Sequence, residues 1–293
     1  MFYLILTIVL NVLLFVLLKY FPQRGLDNKQ VIVYNYFVCV ITGAFVHNYV
    51  PDFPSVCRES WFPFALLNGL FFITMFNFIA WNTEHIGITT TSIANKLSLV
   101  IPVVFSLVLY NEPLHSLKLA GLLLAIPAII WISQKDNVQQ KNLKSVMLTI
   151  LLFLGSGLLD TYVKYVEHHF LPDRRAQQAY VIWTFGTAAV CGVIFLLILK
   201  KTGNIIWKHQ NVLAGIIMGI PNYFSIYYLV LLLKDPWLPS SADIPINNIG
   251  IVIVSLLVAM TIFKEKMNAV RWRGFLLAVI SIILISLGEY YGG

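Results

Sequence analysis

The chain has 293 residues, of which 59% are hydrophobic and 11% charged, and its mean hydropathy is +0.81. Soluble domains carry about 25% charged residues, so this composition excludes a soluble globular protein and describes an integral membrane protein. The formal charge of +7 does not point to nucleic acid, because the lysines and arginines fall mainly between apolar segments, where they anchor helix ends at lipid headgroups.

A spanning helix needs about 20 mostly apolar residues. By that measure the chain predicts ten helices, over 2–20, 30–49, 60–82, 88–110, 115–133, 145–168, 176–199, 210–233, 240–263 and 270–290. The first opens at Met1 without a basic leader or a small-residue cleavage site, and so reads as a retained span rather than a signal peptide. Connections as short as PQRGLDN and QKDNVQQKN require the helices to pack as one bundle. Cys39 and Cys191 sit inside apolar runs as small core residues, and Cys57 lies in a loop, which leaves no disulfide framework.

Polar residues inside the spans mark the candidate site. Span 3 carries Thr74, Asn77 and Trp81 at i, i+3, i+7. Span 4 carries Thr89, Ser92 and Lys96 at the same spacing, with Asn95 beside them, so one helical face holds them all and should look into the bundle. An ionisable residue at the centre of a span costs roughly 2.5–3.5 kcal/mol on insertion scales. Lys96 is therefore read as a cationic anchor for a carboxylate or phosphate; the alternatives are a structural lysine paired with an internal acid, or one that snorkels to the interface.

In span 6, Asp160 and Lys164 stand at i, i+4 and neutralise each other on the simplest reading; otherwise Asp160 binds a coupling proton, or pairs with Lys96 until substrate displaces it. Span 8 offers Pro221, Asn222 and Tyr223, while its Gly215 and Gly219 read as a close-packing face. Span 9 has Asp243, Asn247 and Gly250 at i, i+4, i+7, with Asn248 alongside and Pro245 expected to loosen the helix and free carbonyls. Interhelical hydrogen bonding by these amides is the other reading. Glu84, His85, His168 and His169 fall at span ends and read as interfacial, and Glu112 and Glu265 as capping or anchoring groups.

The hairpin of spans 4 and 5 recurs in spans 9 and 10. One ungapped offset of 153 residues sets Asn95 on Asn248, Glu112 on Glu265 and Gly121 on Gly274, and lays GLLLAIPAIIWIS over GFLLAVISIILIS. This indicates an internal duplication. It extends more weakly through both halves, pairing Gly43 with Gly192 and Gly69 with Gly219. The unit is then five spans, an odd number, so the second copy enters the membrane upside down. Inverted repeats of this kind are frequent in secondary transporters. The expected architecture is all-α, with ten transmembrane helices as two inverted five-helix repeats over 1–138 and 139–293.

A ten-span chain with a Pro-containing fourth span that ends in a Glu before a Gly-led fifth resembles the drug/metabolite transporter (DMT) superfamily, and within it the EamA/RhaT-like transporters. The residues carrying the resemblance are IPVVFSLVLYNEPL with KLAGLLLAIPAI, and VSLLVAMTIFKEKM with RGFLLAVISIIL, so it covers essentially the whole chain. ANKL also looks like the Asn-Lys-Leu element of nucleotide-sugar transporters, which there belongs to the second repeat. The resemblance implies cytoplasmic termini. The loop charges, concentrated after spans 1, 5, 7 and 9, imply the opposite, and the sequence leaves the orientation open.

The expectation is a secondary active transporter of the cell (inner) membrane that moves a small polar or anionic metabolite by alternating access. Spans 3, 4, 8 and 9 would flank its cavity, with Lys96, Asn95, Ser92, Asn77, Trp81, Asn222, Tyr223, Asn247 and Asn248 lining it. Proton coupling through Asp160, and action as a monomer or homodimer in the lipid bilayer, remain open. No cofactor or metal is implied. The competing class is an intramembrane enzyme acting on a lipid-linked or acyl substrate, but HExxH, GxSxG, P-loop and CxxC patterns are absent from the sequence.

Overall fold

The structure, a computed structural model, describes residues 1–49, 52–109, 115–134, 143–203, 206–233 and 240–292; Glu112 and the side chain of Asp243 lie outside the described residues. Twelve α-helices and no strand occur among them: α1 Phe2–Gln23, α2 Asn28–His47, α3 Phe53–Val56, α4 Phe62–His85, α5 Ile88–Leu97, α6 Val100–Leu109, α7 Ser116–Ile132, α8 Leu143–Phe170, α9 Arg174–Lys201, α10 His209–Leu232, α11 Ser240–Thr261 and α12 Ala269–Gly292.

Nine segments among the described residues are long and apolar enough to cross a bilayer, with α5 and α6 counted together, and α7 is a shorter apolar helix of 17 residues. Large apolar side chains such as Phe45 (83% exposed) and Val108 (72%) stay uncovered, as a lipid-facing surface requires. The protein is thus a multi-pass membrane protein.

Helix ends follow local chemistry. Asp27 caps α2 by accepting from the Lys29 N–H at 2.9 Å, and Asp173 caps α9 by accepting from Ala176 at 2.8 Å. The expected break at Pro245 does not occur: α11 runs continuously through it. Pro245 lies only five residues after the helix start, and its missing N–H deprives a single carbonyl near that end.

The interruption lies instead in span 4, at Ser98 and Leu99 between α5 and α6. Pro102 cannot donate to the Ser98 carbonyl, which accepts from the Ile101 N–H at 2.9 Å, while the Ser98 hydroxyl takes the Asn95 carbonyl at 2.6 Å. The chain restarts as α6 with the proline in its first turn, where it is tolerated.

By packing the chain divides into two compact units. One comprises Met1–Lys19, Trp81–Leu158 and Ser225–Gly293; the other comprises Tyr20–Ala80 and Leu159–Phe224. Each unit draws on both sequence halves, and the boundaries fall inside α1 and α4 of the first half and α8 and α10 of the second.

In the first unit Ile93, Leu97, Ala128, Ile132, Val252 and Ile282 anchor a core built by α5, α7, α11 and α12. A Cβ on Gly121 of α7 would meet the Ser281 carbonyl at 2.8 Å and the Ile285 nitrogen at 2.9 Å. One on Gly274 of α12 would meet the Ala128 carbonyl at 3.0 Å and the Ile132 nitrogen at 2.5 Å. These contacts interchange under the 153-residue offset (274 − 121, 281 − 128 and 285 − 132 all equal 153), as contacts across a two-fold axis would.

In the second unit Trp61, Phe62, Ala65, Val166, Ala179 and Tyr180 pack together. There Gly215 and Gly219 do form a close-packing face: a Cβ on Gly219 would lie 2.6 Å from the Val38 Cβ and 2.8 Å from the Asn35 carbonyl of α2.

Candidate functional site

Because α5 ends at Leu97, Lys96 stands in the last turn of a ten-residue half-helix, where carbonyls lose their usual donors. The Asn248 amide on α11 reaches the Lys96 carbonyl at 3.5 Å. The half-buried Lys96 Nζ donates to Asn11 Oδ1 on α1 at 3.3 Å, and the Asn11 amide donates in turn to the Thr7 carbonyl at 2.9 Å. Asn95 donates to the Ser156 hydroxyl on α8 at 3.1 Å. Asn247 is buried, and its Oδ1 has no hydrogen-bond partner among the described residues. The first unit thus brings Asn95, Lys96 and Asn248 together around the end of a broken helix, and adds Asn11 and Ser156.

Ser92 lies on the same half-helix, fully buried, but its hydroxyl returns to the Thr89 carbonyl at 3.1 Å. Trp81 is part of the same unit, partly exposed, and stacks on His85 with ring centroids 4.4 Å apart.

The second unit holds the other sequence candidates. Asn222 of α10 donates to Asn35 Oδ1 of α2 at 3.0 Å, deep inside the unit, and the Cys39 thiol donates to the Gly219 carbonyl at 3.4 Å. Tyr223 fills the surface left by Gly43 and meets His47 edge-on at 6.4 Å. Asn77 spends its amide on the Ile73 carbonyl of its own helix, at 2.8 Å. Asp160 is exposed on α8, one turn before Lys164.

Asn222→Ala leaves the buried Asn35 oxygen without this donor and is expected to cost about 0.5–2 kcal/mol, read as a lower Tm of the purified protein. The double variant with Asn35→Ala should cost less than the sum of the two single variants.

Sequence reasoning missed Asn11, Asn35 and Ser156. Asn11 is a single amide in an apolar run, and its one signal is Thr7 four residues earlier on the same face. Among the described residues, no group of three or more His, Cys, Asp and Glu side chains forms a metal site.

A protein of Haemophilus influenzae (strain ATCC 51907 / DSM 11121 / KW20 / Rd), described as uncharacterized, is 25% identical over 294 residues, covering 96% of each chain. Residues 1–134, a little under half of the chain, match the model of the EamA-like transporter family.

Proposed function

We propose that the protein is a secondary active transporter of the cell (inner) membrane, moving a small polar or anionic metabolite by alternating access, with Lys96 as the anchor for the substrate's negative group. The reading is carried by the Lys96 ammonium, half-buried in mid-span at the end of an interrupted helix, where it donates to the Asn11 oxygen. An intramembrane cation costs stability and is retained where it has a use. Interrupted helices with polar groups at their broken ends recur in transporter substrate sites. Asn95 and Asn248, which flank Lys96, supply amides for the rest of a polar ligand.

The family match supports transport as the activity class. The 153-residue offset, together with the reciprocal glycine contacts of α7 and α12, supports two five-span repeats over 1–138 and 139–293.

The test is a ligand-panel thermal shift on wild type and Lys96→Gln, covering amino acids, organic acids, sugar phosphates, nucleotide sugars and cationic drugs. A ligand at a hundred times its Kd adds about 2.7 kcal/mol to the state it binds. An anionic class should stabilise the wild type and lose that effect in Lys96→Gln. Equal stabilisation of both proteins would overturn the anchor.

A further inference from the structure

The N-terminus of α5 is held by an unusual partner. Gly87 adopts φ 122°, a conformation that side-chain-bearing residues rarely take, and turns the first amides of α5 toward the loop after α11. There Glu265 accepts from the Ile88 N–H at 2.7 Å through Oε1, and from the Thr89 N–H at 3.3 Å and the Thr89 hydroxyl at 3.0 Å through Oε2. A Cβ on Gly87 would lie 2.7 Å from Oε1, so only glycine lets the carboxylate come this close.

Glu265 is itself fixed. Lys264 takes a left-handed φ of 52°, and the Glu265 N–H bonds back to the Ala259 carbonyl at 2.9 Å. Charged groups surround the clamp: Lys19 donates to the Glu84 carbonyl at 2.7 Å and lies in electrostatic reach of Glu265. Arg271 donates to the Thr90 hydroxyl at 3.2 Å, and that hydroxyl donates to the Ile132 carbonyl at 3.2 Å. The first turn of α5 is therefore tied to α7, α11 and α12.

A carboxylate accepting backbone N–H groups at a helix N-terminus makes strong, charge-assisted bonds, favoured by the helix dipole. The half-helix beyond it is short, and Lys96 lies about 10 Å along its axis at 1.5 Å per residue. α11, which leads into the Glu265 loop, carries Asn248, whose amide reaches the Lys96 carbonyl at the other end of α5.

We propose that Glu265 is a positioning residue: its carboxylate pins the first turn of α5 and so sets where Lys96 sits. The assignment rests on the reading of Lys96 as the anion anchor. It predicts that disturbing the clamp is felt at the far end of α5, beyond the capped turn.

Wild type, Glu265→Gln, Glu265→Asp, Thr89→Val and Lys96→Gln are compared by hydrogen exchange with mass spectrometry, and by titration with citrate, inorganic phosphate and L-glutamate as anion probes. Glu265→Gln should speed amide exchange at least tenfold along α5 as far as Leu97, leave α9 unchanged, and weaken the responding anion at least fivefold. Glu265→Asp should restore part of both. Thr89→Val, which removes one of the three bonds, should show the same pattern in milder form and serves if Glu265→Gln does not fold. Faster exchange confined to Ile88–Thr91 with unchanged affinity would make Glu265 a local cap and overturn the proposal. If Lys96→Gln binds every anion as the wild type does, the anchor reading fails, and the exchange along α5 still decides whether Glu265 holds the half-helix in place.

Discussion

Lys96→Gln is expected to lower anion flux ten- to a hundredfold in proteoliposomes while leaving the protein at least as stable as the wild type. A hydrogen bond to a charged group contributes about 1.5–3 kcal/mol, and about 1.4 kcal/mol is tenfold in binding. The stability change runs the other way, because removing a charge from mid-span removes an insertion cost of roughly 2.5–3.5 kcal/mol. Loss of flux with a maintained or raised Tm therefore separates a binding role from a structural one; loss of both would show that the Lys96–Asn11 bond holds the fold. Lys96→Arg keeps the charge but spreads it over a planar fork, and should retain part of the flux. Lys200→Gln, at the exposed end of α9, should change flux less than twofold.

The second large effect is expected where α7 and α12 touch. Gly274→Ala would place its methyl within 3.0 Å of three backbone atoms of α7, at Ala128, Trp131 and Ile132. Backbone cannot rotate away as a side-chain tip can, so the helices must part, at a cost of about 1–3 kcal/mol. Gly121→Ala meets the Ser281 carbonyl and Ile285 and should cost a similar amount. The double variant should lose less than the sum, since both changes separate the same two helices. Gly186→Ala is the contrast. Its nearest neighbour is Val40 Cγ2 at 3.9 Å, so the alanine fits and gains roughly 0.5–1 kcal/mol of helix propensity. Thermal unfolding of the four variants in one detergent checks both signs; a Gly274→Ala protein as stable as Gly186→Ala would disprove the close contact.

Much of the fold was legible because lipid imposes one dominant signal. Apolar runs long enough to span gave helix positions that the structure moves by only a few residues at most ends. Hydropathy is blind to what happens inside a run, and so it presents span 4 as one helix although Pro102 divides it. Pro245 suggests a break because amides follow it, yet a proline so near a helix start disturbs little.

The polar face of Thr89, Ser92, Asn95 and Lys96 was legible from spacing, since it depends on one helix. Asn11 and Asn35 were not, because their meaning lies in partners on other helices, 85 and 187 residues away in the chain. The composition of the two packing units was hidden for the same reason. The 153-residue offset runs between two contiguous halves of the sequence, whereas the contacts gather segments from both.

The 153-residue offset places Lys96 opposite Ile249, the residue next to the Asn248 that bonds the Lys96 carbonyl. Two identical subunits meeting in this way would have to carry the lysine twice, setting two ammonium groups against each other in a medium that barely tolerates one. Within a single chain the two stretches that this offset relates are free to differ, and one keeps the charge where the other carries an apolar side chain. A single chain thus does for electrostatics what two identical subunits cannot: it permits one buried ammonium where a symmetric pair would be bound to two.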